Sequence, residues 1–327
     1  MESLTTAKLT KYDAKELFNS SNVGVAKTVR ELPFAEYGTS FEIRAQDNTL
    51  YVLKIETPNP NALSFGKEFL SNELKVRKIV AEKSDVKAPK ILFEDFSLEK
   101  IQYPYCITEP YEPTWNVITP PTVKDSRRIM YQLGVDLAKL HAIKGEGYGY
   151  EQLGLEKNWA VAFKKMMDGL VADATIIGVH INAERIYEIL DRAQPLLEEV
   201  ECSLVHFDVC KASVAVNRRG TEYKGLTSWE QSFWGDFVAD LISIKPNTPL
   251  AKNKYFIKGY HSVTPFEIDK KLEIRMDLMR LYLGLTLVVC PSLKSPKGSA
   301  VHTFRRIYGR RLMNRAMRSL EKNIIIH

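Results

Sequence analysis

The sequence is poor in the features that would fix its chemistry at a glance. It has only 4 cysteines in 327 residues. Cys106, Cys202, Cys210 and Cys290 show no CxxC spacing, so neither a zinc site nor a disulfide framework is indicated, and reduced thiols suit a cytoplasmic setting. No run approaches the roughly 18 consecutive apolar residues of a membrane-spanning helix. The opening MESLTTAKLTKYDAKELF lacks the cationic segment, apolar run and cleavage site of a secretory signal, and a cytoplasmic protein is expected. There is no internal repeat or low-complexity segment. An acidic excess is missing too: 46 Lys and Arg against 40 Asp and Glu give a net charge of +6. A protein built to gather polycationic ligands is expected to carry an acidic field, and this chain shows none overall.

What is present describes a globular protein, 45% hydrophobic and 26% charged, with chain enough for a large core. From about Val23 to Glu109 it reads as strands around one helix. VAKTVREL, SFEIRAQ and TLYVLKIE are rich in β-branched and aromatic residues, and Gln46-Asp47-Asn48 is turn chemistry for a hairpin. KEFLSNELKVRKIVAEK has helical spacing, and PKILFEDF and IQYPYCITEP return to strand character. After the Pro-rich passage EPYEPTWNVITPPTV the pattern turns helical: VKDSRRIMYQLGVDLAKLHAI, NWAVAFKKMMDGL, NAERIYEILDRAQPLLEEV and EIDKKLEIRMDLMRLYLGLTLVVC. The expected organisation is a β-rich lobe over residues 1–109 and a helical lobe over 110–327, with a ligand cleft between them. The last helix carries Arg306 and Arg310 one turn apart. Without base-stacking aromatics or a nucleic-acid fold, this is a solvated face, so nucleic acid is not an expected partner.

Several residues carry chemistry by position. Lys54, on the third strand in YVLKIE, stands where an ammonium can reach phosphate oxygens, and Glu73 on the next helix can pair with it, with Glu68 the competing partner. PFAEYGTSFEI, where a phosphate-covering loop belongs, has a single glycine, Gly38, followed by Thr39 and Ser40. It lacks GxGxxG, though one permissive residue suffices for a turn. The link YCITEPYEP offers main-chain groups near Glu109 and Tyr111 to an adenine ring. Further on come LVHFDVCKASVAVN and GLTSWEQSFWGDFVADL.

The order Lys54, Glu73, His206-Phe207-Asp208 and Trp229-Glu230 resembles the aminoglycoside phosphotransferase and choline kinase group, small-molecule kinases with a protein-kinase-like fold. The resemblance covers most of the chain. It implies an α+β fold of two lobes, a small antiparallel sheet and a larger helical part, with ATP and magnesium as cofactors and a small-molecule hydroxyl as acceptor. By resemblance, Asp208 is the catalytic carboxylate, His206 organises its loop, and Asp236 and Asp240 support a helix start. The segments after Tyr148, including Trp159 and Trp229 to Trp234, would line the acceptor cleft, although Trp159 also reads as core. The family's asparagine and aspartate metal ligands fall at Ser213 and Ser228. The second change removes a full negative charge from a hard-cation site. If the strand before Ser228 continues, Glu230 projects to the same face and is the nearby carboxylate able to compensate.

Three functions are compatible with these residues. One is ATP-dependent phosphoryl transfer to a small-molecule hydroxyl with a weakened metal site. Another is a pseudokinase-type binding module. The last is a repurposed enzyme of specialised metabolism using Asp208 and His206 for acid–base chemistry without nucleotide.

Overall fold

Alternating β-branched and aromatic residues build the first half of the chain into a sheet. The computed structural model describes residues 9–32, 38–56, 68–110, 112–289 and 299–324. It places β1 at Ala26–Leu32, β2 at Thr39–Ala45, β3 at Leu50–Ile55, β4 at Ile91–Asp95 and β5 at Tyr105–Thr108. These form a five-stranded antiparallel sheet in the order β1-β2-β3-β5-β4. The β2–β3 turn is the one expected: Asp47 Oδ1 accepts from the Thr49 amide at 2.9 Å, and Asn48 takes φ 66°, a left-handed conformation asparagine tolerates.

Phe41, Ile43, Leu53 and Ile55 face a core shared with Leu17 and Phe18 of α1, Lys11–Asn19. No helix is expected there from the sequence, because KYDAKELFN is short and mostly polar. Its start is fixed by a capping box: the Asp13 amide donates to the Thr10 hydroxyl at 3.2 Å, and the Thr10 amide donates to the Asp13 carboxylate at 2.8 Å.

Helix α2, Phe69–Lys83, joins the two halves. Leu70 and Leu74 pack on Cys106 of β5, whereas Phe69, Val76 and Val80 belong to the larger core of the helical half. That half contains α3 (Val123–His141), α4 (Trp159–Ile176), α5 (Ala183–Glu198), α6 (Val238–Ser243), α7 (Lys254–His261), α8 (Lys270–Val289) and α9 (Ala300–Asn323). Thr122, Asn158, Asn182 and Ser299 cap α3, α4, α5 and α9 by accepting a first-turn amide. Helices α8 and α9 cross at Gly284 and Gly309. A Cβ on Gly309 would meet the Gly284 carbonyl oxygen at 2.7 Å, so their backbones approach as closely as glycine allows.

Two short ladders frame the site. β6 (Ser203–Val205) pairs with β9 (Phe233–Gly235), and β7 (Val214–Val216) pairs with β8 (Tyr223–Leu226). The loop between β6 and β7 carries His206 through Ser213. The fold is α+β, with the sheet before Glu109 and α3 to α9 after it. Among the described residues no helix is long and apolar enough to cross a membrane.

One buried acid gives the fold a pH signature. Burial pushes the Asp136 carboxyl of α3 up to about 6, and burial, with the Asp136 charge added, pushes the Tyr223 phenol of β8 well above its usual value. A carboxyl whose folded pKa lies above its unfolded value of about 3.9 favours folding at low pH. That contribution falls away as pH rises from about 4 to 6. Asp136→Asn is therefore expected to stabilise the protein at pH 7.5, by about 2–3 kcal/mol at most, and to abolish the difference below pH 4. Urea denaturation of both proteins across this range checks it; equal stability at pH 7.5 would refute it.

Candidate active site

The site is organised around a buried ion cluster that ties β3, α2 and the turn after β8 together. Lys54 Nζ donates to Glu73 Oε2 at 2.5 Å and also to Glu230 Oε1. The other oxygen of Glu73 accepts from Arg77 Nη1 at 3.0 Å, and Arg77 donates to the Pro89 carbonyl as well. Lys54, Glu73, Arg77 and Glu230 are all buried. Two cations face two carboxylates, which is the condition under which such charges tolerate loss of water. Burial works to raise the Glu73 pKa, but Lys54 and Arg77 hold it below the usual carboxylate range. The lysine thus meets Glu73 on the helix, while Glu68 precedes α2 in a left-handed conformation, φ 54°.

Glu230 reaches this cluster because the chain turns where the sequence pattern expects a continuing strand. β8 ends at Leu226, Ser228 takes φ 65° and ψ 58°, and Trp229–Gln231 forms a single 3-10 turn. Asn72 of α2 clamps the turn, donating to the carbonyls of Glu230 at 3.1 Å and Ser232 at 2.9 Å. The strand-based expectation that Glu230 shares a face with Ser228 gives way to this geometry.

The loop bearing Asp208 is held from below. The amides of His206 and Phe207 donate to the two Asp240 oxygens at 2.9 and 2.7 Å. Asp240 also accepts from His141 Nε2 at 3.0 Å, and His141 Nδ1 accepts from the Tyr260 hydroxyl at 2.8 Å. These bonds hold Phe207 at φ 65°, a conformation costly for a bulky residue. His206 is fully buried. Its Nε2 donates to the Thr227 carbonyl at 2.9 Å, its Nδ1 accepts from the Asp208 amide at 3.3 Å, and burial pushes its pKa below the usual value. Both ring nitrogens of a neutral imidazole are thereby engaged within the loop, so His206 fixes the loop instead of exchanging protons with a ligand. Asp236 is also internal: its Oδ1 accepts from the Val238 amide at 3.2 Å and from Arg275 at 3.3 Å.

Asp208 is the acidic residue of the loop that borders a cavity. It lies on the wall of a cavity of about 660 Å³ bounded by the start of α3, the β6–β7 loop, the segment after α6, and α7, α8 and α9. Trp159, Trp229 and Trp234 are buried in the core and do not line it; for Trp159 this is the core position its sequence context also suggests. Trp115 does line it. So do five basic residues the sequence analysis passed over: Arg127, Lys211, Lys245, Lys252 and Lys254. The lysines of IKPN and AKNK lie in a stretch of chain without acids, the one signal that could have drawn attention to them.

Ser213 and Ser228 do not make a seat for magnesium. The Ser213 hydroxyl donates to the Asp208 carbonyl at 2.5 Å and accepts from the Cys210 amide at 2.9 Å, so it staples the loop. Ser228 brings no charge, and Glu230 is committed to Lys54. Magnesium prefers carboxylate and phosphate oxygens in octahedral array, and this donor set does not fit it. Among the described residues no group of three or more His, Cys, Asp and Glu is placed to hold a metal.

The expected phosphate loop is only partly described. Thr39 and Ser40 lie within β2, not in a loop: Thr39 pairs with Ile55, and Ser40 pairs with Leu32 and with Lys54. Directly paired residues share a face, so Ser40 stands on the Lys54 side of the sheet. Gly38 has φ +96°, and a Cβ there would meet the Ile55 carbonyl oxygen at 2.1 Å; the sheet itself requires this glycine. At the link, the Glu109 amide donates to the Lys90 carbonyl at 3.0 Å, and its carbonyl accepts from the Thr108 hydroxyl at 3.0 Å, leaving one acceptor lone pair. Tyr111 lies outside the described residues.

Comparison with known proteins agrees with this arrangement. A family model described as the phosphotransferase enzyme family matches residues 38–253. No curated protein matches the chain. Among solved structures, a thermostable mutant of aminoglycoside phosphotransferase APH(4)-Ia, in ternary complex with AMP-PNP and hygromycin B, is 16% identical with a TM-score of 0.64, covering 93% of this chain and 98% of its own. The macrolide 2'-phosphotransferase MphH from Brachybacterium faecium is 17% identical with a TM-score of 0.60, covering 93% and 97%. Spectinomycin phosphotransferase APH(9)-Ia, in complex with ADP and spectinomycin, is 13% identical with a TM-score of 0.57, covering 96% and 99%. These likenesses show a shared fold, and since the family model spans more than half of the sequence, the chain belongs to the phosphotransferase enzyme family.

Proposed function

We propose that the protein transfers a phosphoryl group from ATP to a hydroxyl of a small molecule bound in the Asp208 cavity. The observation that carries this reading is the setting of Asp208: a carboxylate on a loop braced by Asp240, His206 and Ser213, on the wall of a cavity of about 660 Å³. A braced base beside a ligand-sized cavity is what proton abstraction from an acceptor needs. The acceptor oxygen attacks the γ-phosphorus as its proton passes to Asp208, and the bond to the bridging oxygen breaks, releasing ADP. Lys54 contacts phosphate oxygens in this reading, and the remaining acceptor capacity of the Glu109 carbonyl serves the adenine amino group. The structures of relatives that carry AMP-PNP or ADP support a nucleotide in the cleft.

Two observations favour a second reading, a binding module that transfers nothing. The metal positions hold hydroxyls, and Lys54 is tied to two carboxylates. The buried, fully engaged His206 gives no support to nucleotide-free acid–base chemistry.

Mass spectrometry of a small-molecule extract incubated with the protein and ATP separates the two. Phosphorylated product is expected from the wild type, and Asp208→Asn is expected to lower its rate by roughly 100- to 10,000-fold. Equal product from both proteins, or none from either, removes the phosphotransfer reading.

The ion cluster generates a further expectation. Glu230 neutralises the lysine assigned to phosphate, so Glu230→Gln is expected to tighten ADP binding by about tenfold, ~1.4 kcal/mol. Calorimetry with ADP checks it. Unchanged affinity would mean that Lys54 does not meet the phosphates; weakened affinity would mean that Glu230 itself serves the nucleotide.

A further inference from the structure

The walls of the Asp208 cavity carry an unbalanced charge. Arg127, Lys211, Lys245, Lys252 and Lys254 line it, and Asp208 is the one acidic residue among the lining side chains. Among the described residues, none of the five cations is in an ion pair with a carboxylate. Two of the cavity cations are anchored on aromatic walls. The Arg127 guanidinium lies 5.0 Å from the Tyr255 ring centre, and Lys211 Nζ lies 5.7 Å from that of Trp115, at distances where a ring face attracts a cation. The rest of the wall is mostly apolar, with Met130, Phe207, Val209, Phe256 and Leu283 among its residues.

A cleft with low-dielectric walls and one sign of charge focuses the field and concentrates ligands of the opposite sign. Here that sign is negative. An aminoglycoside, with its several ammonium groups, would meet five uncompensated cations and a single carboxylate. We infer that the acceptor is an amphipathic anion: an apolar or aromatic body that fills the cavity, a carboxylate or phosphate held by the basic residues, and a hydroxyl presented to Asp208. This inference rests on the reading of the cavity as the acceptor site and names the class of molecule it takes.

The test reads binding, so it stands apart from turnover. Calorimetry on the full chain is run with four probes of one shape: a hydroxynaphthoate, the corresponding hydroxynaphthyl phosphate, the neutral primary amide and the cationic aminomethyl analogue. At least one anion is expected to bind about tenfold or more tighter than the amide, with the aminomethyl analogue weakest. Which anion binds tighter tells carboxylate from phosphate. The double variant Lys245→Gln with Lys254→Gln, its thermal midpoint confirmed unchanged, is expected to lose about tenfold for the anions and nothing for the amide. Added salt is expected to erode the anion preference, and saturating ADP to leave anion binding intact.

Equal or tighter binding of the amide or the cation overturns the inference. So does failure of all four probes to bind, equal weakening of all probes in the double variant, or displacement of the anions by ADP, which would assign the cations to the nucleotide. Absence of phosphorylated product together with retained anion selectivity would remove the kinase reading and leave this one standing.

Discussion

The buried cluster of Arg77, Glu73, Lys54 and Glu230 is the interaction on which the rest of the site depends. It connects a strand of the sheet, the helix α2 and the turn after β8, elements separated by as much as 176 positions in sequence. Removing a single member would leave an unpaired charge in the interior, far costlier than removing a solvent-exposed ion pair. Helix α2 is fixed on both sides: Leu70 and Leu74 pack on the sheet, and Phe69, Val76 and Val80 enter the core of the helical half. The cluster therefore sets the relation between sheet and helices at the place where a phosphate chain would enter. The same bonds that position Lys54 also occupy it, so in the proposed reading a nucleotide would compete with Glu230 for that ammonium.

A second network does for the Asp208 loop what the cluster does for Lys54. Asp240 receives two consecutive loop amides and a histidine, His206 closes against the Thr227 carbonyl, and the Ser213 hydroxyl ties the loop back on itself. Every one of these groups is spent on orientation, and the loop's carboxylate, Asp208, lines the cavity. Serine at position 213 can make this staple because its short side chain reaches the backbone of its own loop. A hydroxyl so used has no reach left for a cation. The substitution that takes away a metal ligand thus keeps the loop rigid, which explains why a braced base and a poor magnesium seat coexist.

Much of this was legible in the sequence where local patterns decide the outcome. The strands around Asp47-Asn48, the helix carrying Glu73 and the long helices after Pro110 follow from residue periodicity and turn chemistry, and the motif order implied the two-part α+β fold. The first helix escaped because its amphipathic stretch is brief and its decisive feature is a two-residue cap. The course of Glu230 was not legible, since it hangs on one left-handed residue, Ser228, and serine carries no such preference; Asn72 on a distant helix holds that turn. The tryptophans were ambiguous for a related reason. A large amphipathic ring suits a ligand wall and a core equally well, and only tertiary packing, such as Trp159 stacked on Phe233 at 5.8 Å, decides between them. The cavity's basic residues come from four separate stretches of chain, so no window of sequence displays them together.

Taken together, these networks divide charge in an unusual way. Near Lys54 the positive charges are matched one for one by carboxylates, whereas around Asp208 they are unmatched. In phosphoryl transfer, stabilisation comes mainly from positive charge placed against phosphate oxygens. In the proposed reading, this chain has neutralised that charge on the nucleotide side and retained it on the acceptor side. An anionic acceptor held by those cations would bring its hydroxyl to Asp208 already oriented, and restraint of that kind lowers a barrier without help from a metal. The physical consequence is that recognition of the acceptor, more than the grip on the nucleotide, is what the electrostatics of this site favour.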